Sequence, residues 1–167
     1  MELLDCILDY QAKFDGKKCQ VSTNYKPLAT FEIDFRLTDL HHLFGLHKIT
    51  SEMASKTIPK ALKGDFNLED YKKKNCFNEV LERISLYAFI GDVFYSNKIS
   101  YCILGKDLTQ NTMKLDVLFF EAEQNRTVVL GFRKDKSGVF KPVTLHKTNP
   151  RKYSKYRVTK IDDVKWL

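Results

Sequence analysis

Three of the four histidines in the chain fall within one short stretch, DLHHLFGLHKIT, at residues 39–50. Histidine changes charge near neutral pH, so such a group suits either metal binding or acid–base catalysis. Two metal ligands on one helix usually lie three or four residues apart. His42 and His47 are five residues apart, and the neighbours His41 and His42 point about 100° apart on a helix. The spacing therefore predicts no metal site, and it leaves catalytic groups or ordinary helix residues as the alternatives.

A second group of reactive side chains lies near the C-terminus. Residues 131–160 contain ten Lys and Arg against one acid, which gives this segment a net charge of +9, whereas the rest of the chain sums to −2. Such an excess attracts polyanions, although a lysine-rich solvated face is the alternative interpretation. The chain has no GxxxxGK[ST], GxGxxG or GxSxG motif. Phosphate loops, dinucleotide sites and serine hydrolase elbows are therefore not indicated.

Acid–base cleavage of a phosphodiester remains compatible with these residues. It needs a base for the 2′-hydroxyl, an acid for the leaving oxygen and a cation to stabilise the phosphorane. Strand alternation in the basic segment predicts Thr144 and His146 on one face, with Val143 and Leu145 on the other. A polar row on a cleft is one interpretation, and a row that simply faces water is the alternative.

The hydrophobic pattern predicts the elements that position these residues. Residues 2–14 and 66–95 have helical periodicity, and residues 18–26 and 29–37 alternate as a hairpin. Thr38 or Asp39 can cap a helix that reaches Gly45, where close packing or a left-handed backbone is plausible. From residue 98 onward, four or five short strands follow, with a hairpin turn at DKSGVF. We predict one α+β domain over residues 1–167. Its N-terminal helices and hairpin (to about residue 96) would pack on a C-terminal antiparallel sheet of four to five strands.

The composition also bears on the compartment. No apolar run approaches the length of a membrane span, and the first apolar stretch, MELLDCILDYQ, contains acids. Cys6, Cys19, Cys76 and Cys102 form no CxxC pair. These features predict a cytoplasmic protein with reduced thiols, no membrane partner and no cofactor.

Two stretches carry a family resemblance. FEIDFRLTDLHHLFGLHKI resembles the strand-plus-HLxGL signature of the phage and mobile-element branch of the barnase–EndoU–colicin–RelE (BECR) nuclease superfamily. FKPVTLHKTNPRKYSKY is similar to the late P-x-[ST]-φ strand of that branch (φ is apolar), which a loop and a tyrosine follow. The matching residues are His42, Leu43, Gly45 and Leu46, then Pro142, Thr144, Leu145 and Tyr153. The resemblance implies leading helices, a four-stranded antiparallel sheet, and a cleft shared by His42 and Thr144.

Together these observations predict a metal-independent ribonuclease of a phage or mobile element, acting on RNA as a toxin or effector. The candidate catalytic residues are His42, Thr144, His146, Arg133 and Tyr153. The candidate phosphate-binding residues are Lys141, Lys147, Arg151, Lys152, Lys155 and Arg157. His41 and His47 are expected to be surface residues. The alternative is a non-catalytic module on the same scaffold, which binds nucleic acid or a protein such as a host defence protein or an antitoxin.

Overall fold

The structure is a computed structural model that describes all 167 residues, and it confirms the α+β class. The helices are α1 Leu3–Lys13, α2 Leu40–Leu43, α3 Ala54–Lys63, α4 Phe77–Ser85 and α5 Ala88–Phe94. The strands are β1 Lys18–Thr23, β2 Thr30–Asp34, β3 Tyr101–Leu104, β4 Val117–Ala122, β5 Thr127–Lys134, β6 Phe140–Thr148 and β7 Thr159–Trp166.

The seven strands form one closed sheet in the order β1-β2-β6-β5-β4-β3-β7. The predicted antiparallel sheet of four to five strands was wrong in two respects. The N-terminal hairpin belongs to the sheet, because β1 pairs with β7 and β2 pairs with β6. The β2–β6 pairing is also parallel, through Ile33 and Phe140. Closure gives hydrogen-bond partners to backbone groups that would otherwise lie on open sheet edges.

One hydrophobic cluster of 35 buried residues joins the helices to the sheet. It runs from Leu3 to Leu145, so the helical part and the strand part of the chain share it. Phe94 of α5 lies 5.6 Å from Phe119 and 6.0 Å from Phe132, measured between ring centroids. Each buried aromatic ring contributes roughly 2–3 kcal/mol of transfer free energy. This packing fixes α5 against β4 and β5.

A smaller cluster lies on the opposite face of the sheet. Its buried members are Ile103, Leu115, Leu118 and Val129, and those on the strands alternate with core residues. The loop between β6 and β7, residues 149–158, packs Tyr153 and Tyr156 on this cluster. We call this segment the basic loop because it carries Arg151, Lys152, Lys155 and Arg157.

The four cysteines are free thiols. Burial raises the pKa of Cys6 to about 11 and the pKa of Cys19 and Cys102 to about 12. These three thiols are therefore protonated at neutral pH and poor nucleophiles. None of the helices combines the length and the apolar character that a membrane span requires.

Candidate active site

A cleft of about 270 Å³ lies between the turn that carries the three histidines and strands β5 and β6. We call residues 40–48 the histidine turn and this space the histidine cleft. The cleft contains three of the residues predicted as catalytic: His42, Arg133 and Thr144. The other lining residues are His47, Lys48, Arg83, Met113 and Val143.

Gly45 explains how His47 comes to lie beside His42. The helix α2 is a single turn, and Gly45 follows it with φ +71°, in the left-handed region that glycine adopts without steric cost. The chain then folds back as a 3₁₀ turn over Leu46–Lys48. The rings of His42 and His47, both exposed, lie 4.7 Å apart between centroids. Helical spacing predicted that they would face apart, but the chain leaves the helix between them.

His47 and His41 differ in their environments. Burial, followed by positive charge on His42, lowers the pKa of His47, which leaves its ring neutral at pH 7. His41 was predicted to be a surface residue, and that was wrong, because only 3% of it is exposed. Its Nε2 atom is buried without a hydrogen-bond partner, and burial lowers its pKa. His41 is therefore part of the packing beneath the turn. No three His, Cys, Asp or Glu side chains are grouped so that they could hold a metal ion.

Arg83 provides a fixed cation that sequence reasoning missed. Only 10% of its side chain is exposed, and its Nη2 and Nε donate to Glu79 Oε1 at 2.8 and 3.2 Å. Lys48 donates to the same oxygen, and these bonds hold the pKa of Glu79 below its usual range. A Cβ on Gly45 would lie 3.3 Å from Arg83 Cδ, so the glycine gives the arginine room against the histidine turn.

The sequence contained a signal for Arg83. Its position three residues after Val80 lies on the buried face of α4, and Glu79 precedes it by the four residues of a helical ion pair. A charged residue on the apolar stripe of a helix needs a partner, because burying an unpaired charge is costly. Leu81, the apolar residue that follows Val80, is by contrast 42% exposed.

Thr144 and His146 share one face of β6, as the alternation predicted. Thr144 is 1% exposed, and its Oγ1 lies 2.9 Å from His146 Nδ1. The predicted position of Val143 opposite to Thr144 was wrong. The register shifts between Gly131 and Phe132 of β5, which leaves Val143 as an extra residue in β6, and this bulge turns it towards the cleft beside Thr144.

The environment of His146 makes it a neutral group. Burial, followed by the positive charges of Arg83 and Lys48, lowers its pKa to about 4, although Glu79 partly opposes this shift. At pH 7 the ring is therefore uncharged and cannot act as a general acid. A neutral imidazole can still orient the Thr144 hydroxyl through its hydrogen bond.

Among the other predicted residues, Arg133 lies on the wall of the cleft, whereas Lys141 and Lys147 lie outside it. Arg133 Nε donates to the Met113 carbonyl at 2.7 Å, which fixes this arginine on the wall of the cleft. Lys141 lies 3.7 Å from Asp135, and Lys147 lies 2.9 Å from Glu82, and neither lysine lines the cleft.

Tyr153 and the basic loop lie away from the histidine cleft. Tyr153 lines a separate cavity of about 240 Å³ together with His146, Lys152 and Tyr156. Arg151, Lys152, Lys155 and Arg157 line a further cavity of about 400 Å³. None of these four cations has a carboxylate within 4.0 Å.

Comparison with known proteins agrees with the predicted superfamily. No curated protein and no solved structure matches the chain. One family model, described as phage-Barnase-EndoU-ColicinE5/D-RelE like nuclease4, matches residues 2–165. The match spans both the histidine turn and the late strand on which the resemblance rested. The chain therefore belongs to this family, PBECR4, of the BECR-like nucleases.

Proposed function

We propose that the protein is a metal-independent endoribonuclease whose active site is the histidine cleft. The observation that carries the proposal is that His42, Arg83 and Thr144 line one cleft, although 102 positions separate the first of them from the last. Membership of a nuclease-like family supports a nucleic acid as the substrate class. The basic loop and the net charge of +7 support binding of a polyanion.

The two exposed histidines supply the proton transfers. His47, neutral at pH 7, takes the proton of the 2′-hydroxyl as that oxygen attacks the adjacent phosphate. His42, on the same wall of the cleft, delivers a proton to the departing 5′ oxygen. The products are a 2′,3′-cyclic phosphate and a free 5′-hydroxyl. In this scheme His42 remains a catalytic residue, as predicted from the sequence, and His47 replaces His146 as the second proton-transfer group.

Arg83 stabilises the negative charge that develops on the phosphorane. Its ion pair with Glu79 holds the guanidinium in place before the substrate arrives, so little reorganisation is needed during the reaction. Lys48 and Arg133 add positive charge from two other sides of the cleft. Three cations supply the charge stabilisation that a divalent ion provides in other nucleases. Thr144, oriented by His146, donates one hydrogen bond to a phosphate oxygen.

The test is cleavage of a labelled single-stranded RNA in EDTA by the wild type and by His42→Gln, which keeps hydrogen bonding but cannot titrate. We expect the variant to lose roughly 10²- to 10⁴-fold in rate, since proton transfer contributes that much. Lys63→Ala, a substitution of an exposed residue at the end of α3, controls for effects of substitution and purification alone. Equal thermal midpoints would show that all three proteins are folded.

One further substrate makes the test specific. RNA with a single 2′-deoxynucleotide at the cleaved position should remain intact, because the attacking hydroxyl is missing. Wild-type rates in His42→Gln, or a rate that EDTA abolishes and Mg²⁺ restores, would contradict the proposal. Tight RNA binding without cleavage by the wild type would favour the binding module predicted as the alternative.

A further inference from the structure

The cavity that Tyr153 lines, which we call the tyrosine cavity, is adjacent to the histidine cleft. Met113 lines both spaces. The hydrogen bond between Thr144 and His146 also bridges them, because Thr144 lines the cleft and His146 lines the cavity. A phosphodiester in the cleft would therefore have its neighbouring nucleotide at the entrance of the tyrosine cavity.

The tyrosine cavity has the chemistry of a nucleobase site. Tyr153 and Tyr156 present two rings with centroids 5.8 Å apart, inclined by 46°. Tyr153 also packs on Phe120, and the Tyr156 hydroxyl lies 2.9 Å from Thr109 Oγ1, so both rings are held in place. Aromatic faces that are fixed in this way stack on bases of single-stranded nucleic acid.

Hydrogen-bonding groups surround these rings. Asn111, on the same wall, uses both polar atoms of its amide on the backbone of Leu115, at 2.8 and 2.9 Å, and this clamps the wall. Thr148 and the exposed amide of Gln110 also line the cavity and can contact the edge of a base. A volume of about 240 Å³ lies below the roughly 300–1,000 Å³ of pockets for larger ligands, which suits one planar ring system.

The basic cavity, the space of about 400 Å³ that the four cations of the basic loop line, continues the same path. It shares Thr109, Lys152 and Tyr156 with the tyrosine cavity. From the histidine cleft outward, the path thus passes the cations of the cleft, then the two tyrosine rings, then the cations of the basic cavity. This order matches the alternation of phosphate, base and phosphate along a polynucleotide strand.

We propose that the tyrosine cavity binds one unstacked base of single-stranded RNA, next to the cleaved phosphate, and that the basic cavity binds the following phosphate. This subsite rests on the proposed function for the identity of the neighbouring phosphate. A base in this cavity must leave its stack, so the site selects single strands, loops or bulges over a continuous duplex.

The test measures binding apart from cleavage. Fluorescence anisotropy would follow a short labelled RNA with a 2′-deoxynucleotide at the cleaved position, so that it remains intact. A second oligonucleotide would be abasic at the adjacent nucleotide, and a third would be a duplex. For the wild type, we expect the abasic strand to bind roughly tenfold more weakly, as the loss of one stacked base predicts.

Variants assign that loss to the cavity. Tyr153→Leu and Tyr156→Leu keep apolar contact with the sheet but remove a ring. Each should weaken binding of the intact strand about tenfold and remove its advantage over the abasic strand. Tyr101→Leu makes the same change at a tyrosine that is 49% exposed on β3 and outside both cavities, and it should change neither value.

The outcomes separate this subsite from the proposed function. The subsite is overturned, even if the enzyme cuts RNA, if both tyrosine variants still prefer the intact strand over the abasic strand as strongly as the wild type does. It is also overturned if the wild type binds the duplex as tightly as the single strand. If the protein cuts no RNA but needs the tyrosines to bind the intact strand more tightly than the abasic strand, the subsite is supported and the nuclease is rejected. A DNA strand bound with equal discrimination would overturn the assignment to RNA.

Discussion

The histidine cleft and the basic loop both gather cations, but they hold them differently. In the cleft, Arg83 is almost buried and ion-paired with Glu79, which also binds Lys48. In the basic loop, none of the four cations has a carboxylate within 4.0 Å, although Asp107 lines the same cavity. A fixed cation lowers the energy of a transition state whose geometry it matches, whereas free cations attract a chain of phosphates over a distance. We therefore expect the cleft to set the rate of the reaction and the loop to set the affinity.

The largest expected difference between the two regions comes from replacing one arginine by methionine in each of them. Arg83→Met should lower kcat roughly 10²- to 10³-fold with little change in KM, since a preorganised donor to the phosphorane is lost. Arg151→Met should leave kcat unchanged and raise KM severalfold at low salt. Its effect should fade as salt rises, because one phosphate contact contributes a slope of about 0.7 in log affinity against log salt for single strands.

Steady-state cleavage at several salt concentrations measures both variants, with Arg83→Lys to test whether charge alone restores the rate. Glu79 keeps Lys48 as a partner in Arg83→Met, so a folded variant is expected, and the thermal midpoint checks this. The distinction between the two regions fails if Arg151→Met lowers kcat as strongly as Arg83→Met.

A second effect concerns stability in acid and comes from His146, which contacts Thr144 of the cleft and lines the tyrosine cavity. The pKa of His146 is about 4 in the folded protein and 6.5 without the fold. Between these values the unfolded chain binds more protons, so the free energy of unfolding is fully retained above pH 6.5 and falls as the pH drops towards 4. The loss is at most roughly 3 kcal/mol.

His146→Asn keeps a group near the position of Nδ1 but cannot titrate, so it should flatten this part of the stability profile. Asp39, whose pKa burial raises to about 7, acts in the opposite direction, because its folded form gains protons first as the pH falls. The informative quantity is therefore the difference between variant and wild type in urea unfolding at about pH 4 and about pH 7. His47→Asn, at an exposed site of the histidine cleft, is the matched control and should give a smaller difference. Equal differences would show that burial of His146 is not the cause.

The sequence predicted local features well and long-range ones poorly. Alternation located β5 and β6, and the glycine rule anticipated the left-handed backbone at Gly45. The closure of the sheet was missed because β1 pairs with β7, whose residues lie about 140 positions further along the chain, and no local pattern encodes that pairing. The helical pattern marks Arg83 as buried beside Glu79, but its place in the site was missed because only the folded chain brings α4 against the histidine turn.

The predicted geometry agrees with the structure where one strand or one turn determines it. Thr144 and His146 share a face because of the strand period, and the HLxGL stretch pointed to His42. Tyr153 was predicted on the same site because it follows the same strand, but the basic loop carries it to the opposite side of His146. The position of a loop residue depends on tertiary contacts, which the period of the preceding strand does not determine.

The smallest expected effect comes from alanine substitutions at two glycines. Their comparison separates the cost of a left-handed backbone from the cost of a side-chain contact. Gly45 and Gly138 have similar φ values, +71° and +87°. A Cβ added at Gly138, in the β5–β6 turn, would meet no atom within 4 Å, whereas a Cβ added at Gly45 would lie 3.3 Å from Arg83 Cδ. Both changes to alanine should cost about 1 kcal/mol through the left-handed backbone. Only Gly45→Ala should also displace Arg83 and lower kcat, by a factor of a few to about ten.

Calorimetry resolves the shared strain, because a chain of this size loses roughly 2–4 °C in Tm per kcal/mol, and cleavage assays resolve the contact. If the two alanine variants retain equal kcat, then the packing of Gly45 on Arg83 does not position the cation. The ion pair with Glu79 would then be the only feature that holds Arg83 more rigidly than the cations of the basic loop.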